Sequence, residues 1–373
     1  MNQPNASRRL LPALPEPRQV PALLIGWLTR SKHATFSLSF LRIIYGGIIL
    51  AFLATNVADR HYLWGVASQW VEPEAKRRGW IGLFQIAFPK DDAALFDLSY
   101  AILAILALLF LIGWQTRFVT PLLLVFWVGL ATNSTVLTNG GDTIMRITLL
   151  FLVVADLSQH WSVDAWLRRR GARQVRPLWR GVIAETVKNT ASNAAVVLCA
   201  YQIMLVYVNS AIYKLSGVEW RDGTAFYYSL VLDVFRPFPA LSDLAWQWDV
   251  GVFVATFLSV WVQLLFPLLV LWRPTRIAAL IVILGMHLGI GLFLGLWPFS
   301  LAMIALDLLF VRDSSWRRML AWGLSAVKAL VGAVRPLFTD RRPAPKPAAT
   351  TSGVGAAAGV AATAAVAQPD SGR

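Results

Sequence analysis

Eight runs of mostly apolar residues, near 36–55, 98–114, 118–137, 143–158, 193–213, 250–272, 276–296 and 298–311, constrain what this chain can fold into. A helix needs roughly 20 apolar residues to cross ~30 Å of hydrocarbon, and only self-satisfied backbones survive there. The runs predict an all-α, polytopic integral membrane helical bundle of about eight spans. The last run is short, and Trp297-Pro298 marks the break before it. Composition agrees: 57% of residues are hydrophobic and 14% charged, which separates the chain from soluble domains.

The formal charge of +14 does not read as a nucleic-acid surface, because the basic residues lie between apolar runs rather than along a soluble stripe. Arg8, Arg9, Arg18, Arg30 and Lys32 precede the first run. Arg168, Arg169, Arg170, Arg173, Arg176, Arg180 and Lys188 crowd the link between the fourth and fifth. Arg312, Arg317, Arg318, Lys328 and Arg335 follow the eighth. The alternate loops are neutral or acidic, with Asp142, Glu219, Asp222, Asp233, Asp243 and Asp249, except the first, where Glu72 and Glu74 partly balance Lys76, Arg77 and Arg78. The positive-inside bias then places both termini in the cytoplasm, and the expected location is the cytoplasmic membrane of a bacterium. A cleaved signal peptide is not expected, since the first thirty residues hold prolines and no apolar core. Cys199 is the single cysteine, so no intramolecular disulfide forms.

Four segments are expected: a cytoplasmic tail (1–34), a transmembrane domain (35–312), an amphipathic cytoplasmic surface helix (313–338) and a disordered Ala/Gly/Pro tail (339–373). The stretch around Trp70, Trp80, Leu83 and Phe84 alternates aromatics with charge and reads as a further interfacial helix. The aromatic connection Leu215–Asp249 suits the headgroup level.

An ionised side chain at mid-bilayer costs ~2.5–3.5 kcal/mol on insertion scales, so each one asks for a partner. Lys214 ends the fifth run. It is either an interfacial anchor or a functional amine, and lysine is readily stripped of its proton in a low-dielectric setting. Asn209, Tyr213 and Trp220 around it, with Gln263 in the sixth run, are candidate pocket lining; Glu219 is a candidate counterion. His287 sits mid-run in Gly285-Met-His-Leu-Gly-Ile-Gly291, where glycines admit a close neighbouring helix. It reads as an interhelical hydrogen-bonding imidazole or as an acid/base. Asp142 and Arg146 share a helix face, as an ion pair or as a clamp at a cavity mouth. Arg42 is expected to snorkel, and Asp156 and Asp307 to be interfacial or paired with arginines. No two histidines have helical ligand spacing, so no metal site is expected.

The segment Asn209–Thr224, reading Asn-Ser-Ala-Ile-Tyr-Lys-Leu-Ser-Gly-Val-Glu-Trp-Arg-Asp-Gly-Thr, resembles the signature of the horizontally transferred transmembrane (HTTM) domain. This domain is shared with vitamin K-dependent gamma-carboxylase. Asp156–Asp164, and Arg273–Arg276 running on to His287 and Ser300, are also similar, and the likeness covers about residues 36–311. The resemblance implies a reduced, vitamin K-like quinone as the lipid-soluble substrate, Lys214 as the base that deprotonates it, and oxygen as co-reactant. At three points the chain departs from the carboxylase: Gly141 stands where a histidine is found, Tyr213 replaces a second lysine, and the large outer soluble domain has no counterpart.

Three function classes follow. The first is a carboxylase-like or oxygenase-like membrane enzyme, with Lys214 and His287 catalytic and Asn209, Tyr213, Trp220, Asp142, Arg146 and Gln263 binding substrate. The second is a non-catalytic membrane partner that binds or helps process a secreted peptide, since short HTTM proteins occur in peptide maturation systems. The third is a transporter, for which no repeat is evident.

Overall fold

The computed structural model describes residues 18–69, 82–89, 91–134, 136–171 and 182–339. The expected interfacial helix around Trp70–Phe84 falls mostly outside these residues, as does the tail beyond Thr339. All regular structure among the described residues is helical. Each of the eight apolar runs carries a helix: α2 (Thr35–Thr55), α5 (Ala93–Ile112), α6 (Thr116–Thr132), α7 (Gly140–Leu152), α9 (Val182–Ser216), α13 (Asp249–Leu269), α14 (Arg273–Leu294) and α15 (Trp297–Asp307). Shorter helices connect them: α1 (Val20–Arg30), α3 (Arg60–Leu63), α4 (Gly82–Gln85), α8 (Val163–Arg169), α10 (Val218–Arg221), α11 (Ala225–Val231) and α12 (Pro239–Trp246). The helix α16 (Asp313–Thr339) follows. Five of them, α2, α5, α9, α13 and α14, are long and apolar enough to cross a membrane. The other three runs hold helices of 17, 13 and 11 residues, so helix length supports five of the expected eight spans. The chain divides into two units, 1–319 and 320–373. Of the second, the described part is the rest of α16, whose Trp322, Leu324 and Leu330 are exposed.

Local chemistry sets the helix ends. The Asp92 side chain accepts from the Leu95 N–H and opens α5, and Gly113 closes it at φ 71°, a conformation that favours glycine. Asn139 and Asp142 form a reciprocal capping box at the start of α7. Pro274 and Pro298 occupy first-turn positions of α14 and α15, where no N–H is missed.

The helices α2 and α5 pack at Gly46, where an added Cβ would lie 2.8 Å from the Leu111 Cβ. Around this crossing, Tyr45, Ile49, Leu103 and Phe110 are fully buried. Away from it, Ile105, Leu122, Leu268 and Ile281 are exposed at 50–67%, as lipid-facing side chains would be.

Arg42 does not snorkel. It is fully buried and donates from Nη1 to the carbonyls of Phe110 (2.7 Å) and Leu111, and from Nη2 to Trp161 (2.7 Å). The first two are carbonyls in the last turn of α5, where the helix dipole favours a cation, and Phe110 also accepts from the Gly113 N–H. Asp156 is paired as expected, but with Lys32 (2.5 Å) rather than with an arginine, and Gln159 also donates to it. Asn193 of α9 accepts from the His33 N–H (2.9 Å) and donates to the carbonyls of Trp27, Leu28 and Ser31. Asp313 accepts from the N–H groups of Thr35 and Phe36, satisfying the start of α2. These bonds gather one end of the bundle, hereafter the Asp313 end.

Two predictions follow from this end. Removing the guanidinium in Arg42→Met strands up to two carbonyls, those of Leu111 and Trp161, while Phe110 keeps the Gly113 N–H, and should destabilise the fold by roughly 3 kcal/mol. Denaturant unfolding in mixed micelles would measure it, and an unchanged midpoint would show that the carbonyls find other donors. The second concerns pH. Burial holds His160, stacked on Phe36 at 3.6 Å, below its usual range; Asp313 opposes this while Arg317, Arg169 and Arg168 assist it. Burial pushes Asp156 up, but Lys32, Gln159 and Ser158 prevail and hold it below the usual carboxylate range. Both groups bind fewer protons folded than unfolded, so stability declines as pH falls below ~6.5 through the lowered His160 value, and again below ~4 through that of Asp156. The unfolding temperature of His160→Phe should lose the first decline and keep the second; a wild-type profile flat from neutral pH to pH ~4 would contradict this.

Candidate functional site

The long helix α9 carries Tyr207 and Lys214 seven residues apart. Two helical turns separate them, about 10.5 Å, on one face. That face meets α13, α14 and α15, and each contributes a polar side chain.

Lys214 is partly buried near the C-terminus of α9. Its Nζ donates to the Gln263 Oε1 of α13 at 2.8 Å. The same Nζ lies 4.6 Å from the centre of the Trp220 ring. The indole reaches it because the chain breaks at Gly217 and turns into α10; a Cβ at 217 would stand 3.0 Å from the Trp220 Cδ1. Gln263 is buried and its Nε2 points to the Met286 Sδ of α14 at 3.7 Å. Glu219 is not the counterion. Among the described residues no carboxylate lies within ion-pair distance of Lys214, whose partners are a neutral amide and an aromatic face.

Below Lys214, His287 is 1% exposed. Its Nε2 lies 2.9 Å from the Tyr207 hydroxyl, which donates to the Asp307 Oδ1 at 2.7 Å. Asp307 is fully buried at the end of α15, neither interfacial nor paired with an arginine as expected. Its Oδ2 stands 3.8 Å from the His287 Nε2. The Phe299 ring meets the imidazole edge-on at 5.8 Å. The His287 Nδ1, the Asp307 Oδ2 and the Ser300 Oγ are buried without a hydrogen-bond partner among the described residues. Of the nearby glycines, Gly291 supplies the expected close approach, to Trp297, whereas Gly285 faces open space.

Lys214, Trp220 and Gln263 are therefore in direct contact, with His287 beneath them, while Asn209 and Tyr213 are not in this group. Both are exposed, Tyr213 at 72%, because their positions on α9 turn away from the Tyr207–Lys214 face. Asp142 and Arg146 form no direct ion pair. Asp142 accepts from the Asn139 N–H in the capping box, and Arg146 donates to the Thr143 Oγ1 at 3.0 Å. Asp142 also lines a shallow recess, with room for about one water molecule, with Phe52, Trp64 and Trp127. One residue before it, Gly141 packs against Phe299, where an added Cβ would lie 3.3 Å from the Phe299 Cα. Tyr207 and Asp307 are the residues that sequence reasoning missed as site members. Their seven-residue spacing to Lys214 and to Ser300 was the available signal.

Residues 31–316 match the HTTM domain. The chain belongs to the HTTM domain family. The match spans every helix that builds the site, and with the apolar helices it makes the chain an integral membrane protein. The chain is also similar to sporulation-delaying protein SdpB of Bacillus subtilis (strain 168), at 23% identity over 153 residues, 40% of this chain. That alignment covers 42% of the relative's length. No solved structure matches the HTTM chain.

If Gln263 fixes the amine, Gln263→Leu should raise the rate at which an apolar amine-reactive reagent modifies Lys214 severalfold. Peptide mass spectrometry reads the site, and an unchanged rate would mean that Trp220 alone holds the ammonium.

Proposed function

We propose that this HTTM protein is a membrane-embedded enzyme in which Lys214 acts as a general base on a weakly acidic, lipid-soluble substrate of quinol type. The observation that carries this reading is the set of partners around the amine. Gln263 and Trp220 hold Lys214 without neutralising it, so neither fixes its proton as a carboxylate would. A hydroxyl placed against the free amine gives up its proton to Nζ, and the resulting anion sits beside an ammonium and an aromatic face. His287 is the second acid/base group. On the resemblance to the carboxylase, oxygen is the co-reactant. The distribution of arginine and lysine supports a cytoplasmic location for both termini in a bacterial cytoplasmic membrane, with Lys214 toward the opposite side. In the same reading α16 lies along the cytoplasmic surface.

A second reading takes the chain as a non-catalytic partner that binds a secreted peptide. It is favoured by the segment after Lys214, where Tyr228, Val234, Phe238, Leu244 and Trp248 are exposed at 52–87%.

One experiment separates the readings. Purified protein in nanodiscs is given reduced naphthoquinone and labelled dioxygen, beside Lys214→Ala. Label in a quinone epoxide, falling ~10²–10⁴-fold in the variant, is the expected result for loss of a general base. Equal label in both would remove Lys214 from the chemistry. No label in either, with quinone binding confirmed, would favour the peptide partner.

A further inference from the structure

Past its first residue, the helix α16 carries charges of one sign only. From Ser314 to Thr339 the chain holds Arg317, Arg318, Lys328 and Arg335 and no Asp or Glu. Among the described residues no carboxylate pairs with Arg317, Arg318 or Lys328. At about 100° per residue, Leu320, Leu324, Val327, Leu330, Val331 and Val334 share one arc of about 120°. Arg317 and Lys328 border that arc, and Arg318 and Ser325 lie opposite its centre. Leu324, Val327, Leu330 and Val331 are 57–65% exposed, so the arc is apolar and uncovered. The root of the helix is fixed. Asp313 accepts from the N–H groups of Thr35 and Phe36, and the Trp316 Nε1–H donates to the Ser37 Oγ at 2.9 Å. These three residues open α2, a helix of spanning length. The helix α16 also begins two residues after the last apolar run closes at Val311. Both facts keep its root near a point where the chain meets the edge of the hydrocarbon.

We propose that α16 is a recognition helix for anionic lipid: its apolar arc enters the acyl boundary while Arg317, Arg318 and Lys328 bind headgroup phosphates. The inference rests on the placement of α16 along the cytoplasmic surface and is independent of the chemistry of Lys214. Burial of the arc gives the helix affinity for any bilayer, and the cations make that affinity depend on lipid charge. Arginine suits the task because its planar fork matches two phosphate oxygens, whereas the Lys328 ammonium acts as a point charge. The long stems of Arg317 and Lys328 run along the edge of the arc, so their heads reach the phosphates while their methylenes stay on apolar surface. The same charges argue against a second copy as the cover. Two α16 helices laid face to face would set arginine and lysine against each other, and α16 offers no carboxylate beyond Asp313 to answer them. Asp313 itself is engaged by the start of α2.

The test uses the full chain in nanodiscs, with Cys199→Ala so that one introduced cysteine carries a nitroxide. Leu324→Cys and Val327→Cys probe the arc; Ser325→Cys and Ala329→Cys probe the opposite face. Collision with oxygen, which concentrates among acyl chains, is compared with collision with a water-soluble nickel chelate. With phosphatidylglycerol present, labels at 324 and 327 should favour oxygen and labels at 325 and 329 nickel. The oxygen preference at 324 and 327 should fall severalfold in phosphatidylcholine alone, at ~1 M salt, and in the triple variant Arg317→Gln, Arg318→Gln, Lys328→Gln. An oxygen preference indifferent to lipid charge and to the triple variant would overturn the headgroup recognition and leave the surface placement standing. Nickel favoured at all four positions in every lipid would overturn both. Exclusion of both reagents at 324 and 327 would show that protein covers the arc and would also overturn the proposal; dipolar broadening between labels on two chains would identify that cover as a second copy.

Discussion

Every polar group that enters the apolar bundle has to find its partner inside the protein, and Arg42 shows how much follows from that. Its guanidinium fastens α2 to the end of α5 and to the Trp161 loop in one set of bonds. Gly113 makes the approach possible, since its left-handed turn exposes the carbonyls and an added Cβ would collide with Arg42. One charged side chain thus does the work that water does at the C-terminus of a soluble helix. The helices must cross where they do for the buried charge to be tolerated at all.

The same constraint is met unevenly along the bundle. At the Asp313 end, Asn193, Asp156 and Asp313 are each engaged by several donors or acceptors. Around Lys214 the bonding thins to one amide and one ring, and beneath it three buried polar atoms have no partner among the described residues. Rigid fastening at one end and sparse satisfaction at the other is what a site needs when protons or ligands are to change places there. Gly141 of α7 packs against Phe299, and α9, α13, α14 and α15 bring Lys214, Gln263, His287 and Asp307 to one side of it.

The helical membrane class was legible in the apolar runs, because lipid leaves a spanning chain few backbone choices. The number of crossings was legible in part, since five of the eight runs carry helices of spanning length among the described residues. Apolar length alone does not separate the 13-residue α7 or the 11-residue α15 from full spans. Lys214, Gln263 and Trp220 could be read together because a family signature and an intramembrane amide point to one place. Asn209 and Tyr213 were misplaced because adjacency in sequence is not adjacency on a helix, where 100° per residue sends them to the outer face. Asp307 looked interfacial because it ends an apolar run, and only the short reach of α15 leaves it buried against Tyr207.

The Asn193 clamp also bears on how the protein is made. Trp27, Leu28, Ser31 and His33 are bound by a side chain about 160 residues further along the chain. At 5–20 residues per second, the segment before α2 waits roughly 8–30 s for that asparagine to be synthesised. Until then α1, whose Leu23, Leu24 and Ile25 are exposed, has no dock on α9 and only the bilayer surface to rest on. The helix α1, translated before α9, is therefore among the last to be seated, and assembly closes from the fifth apolar run back onto α1.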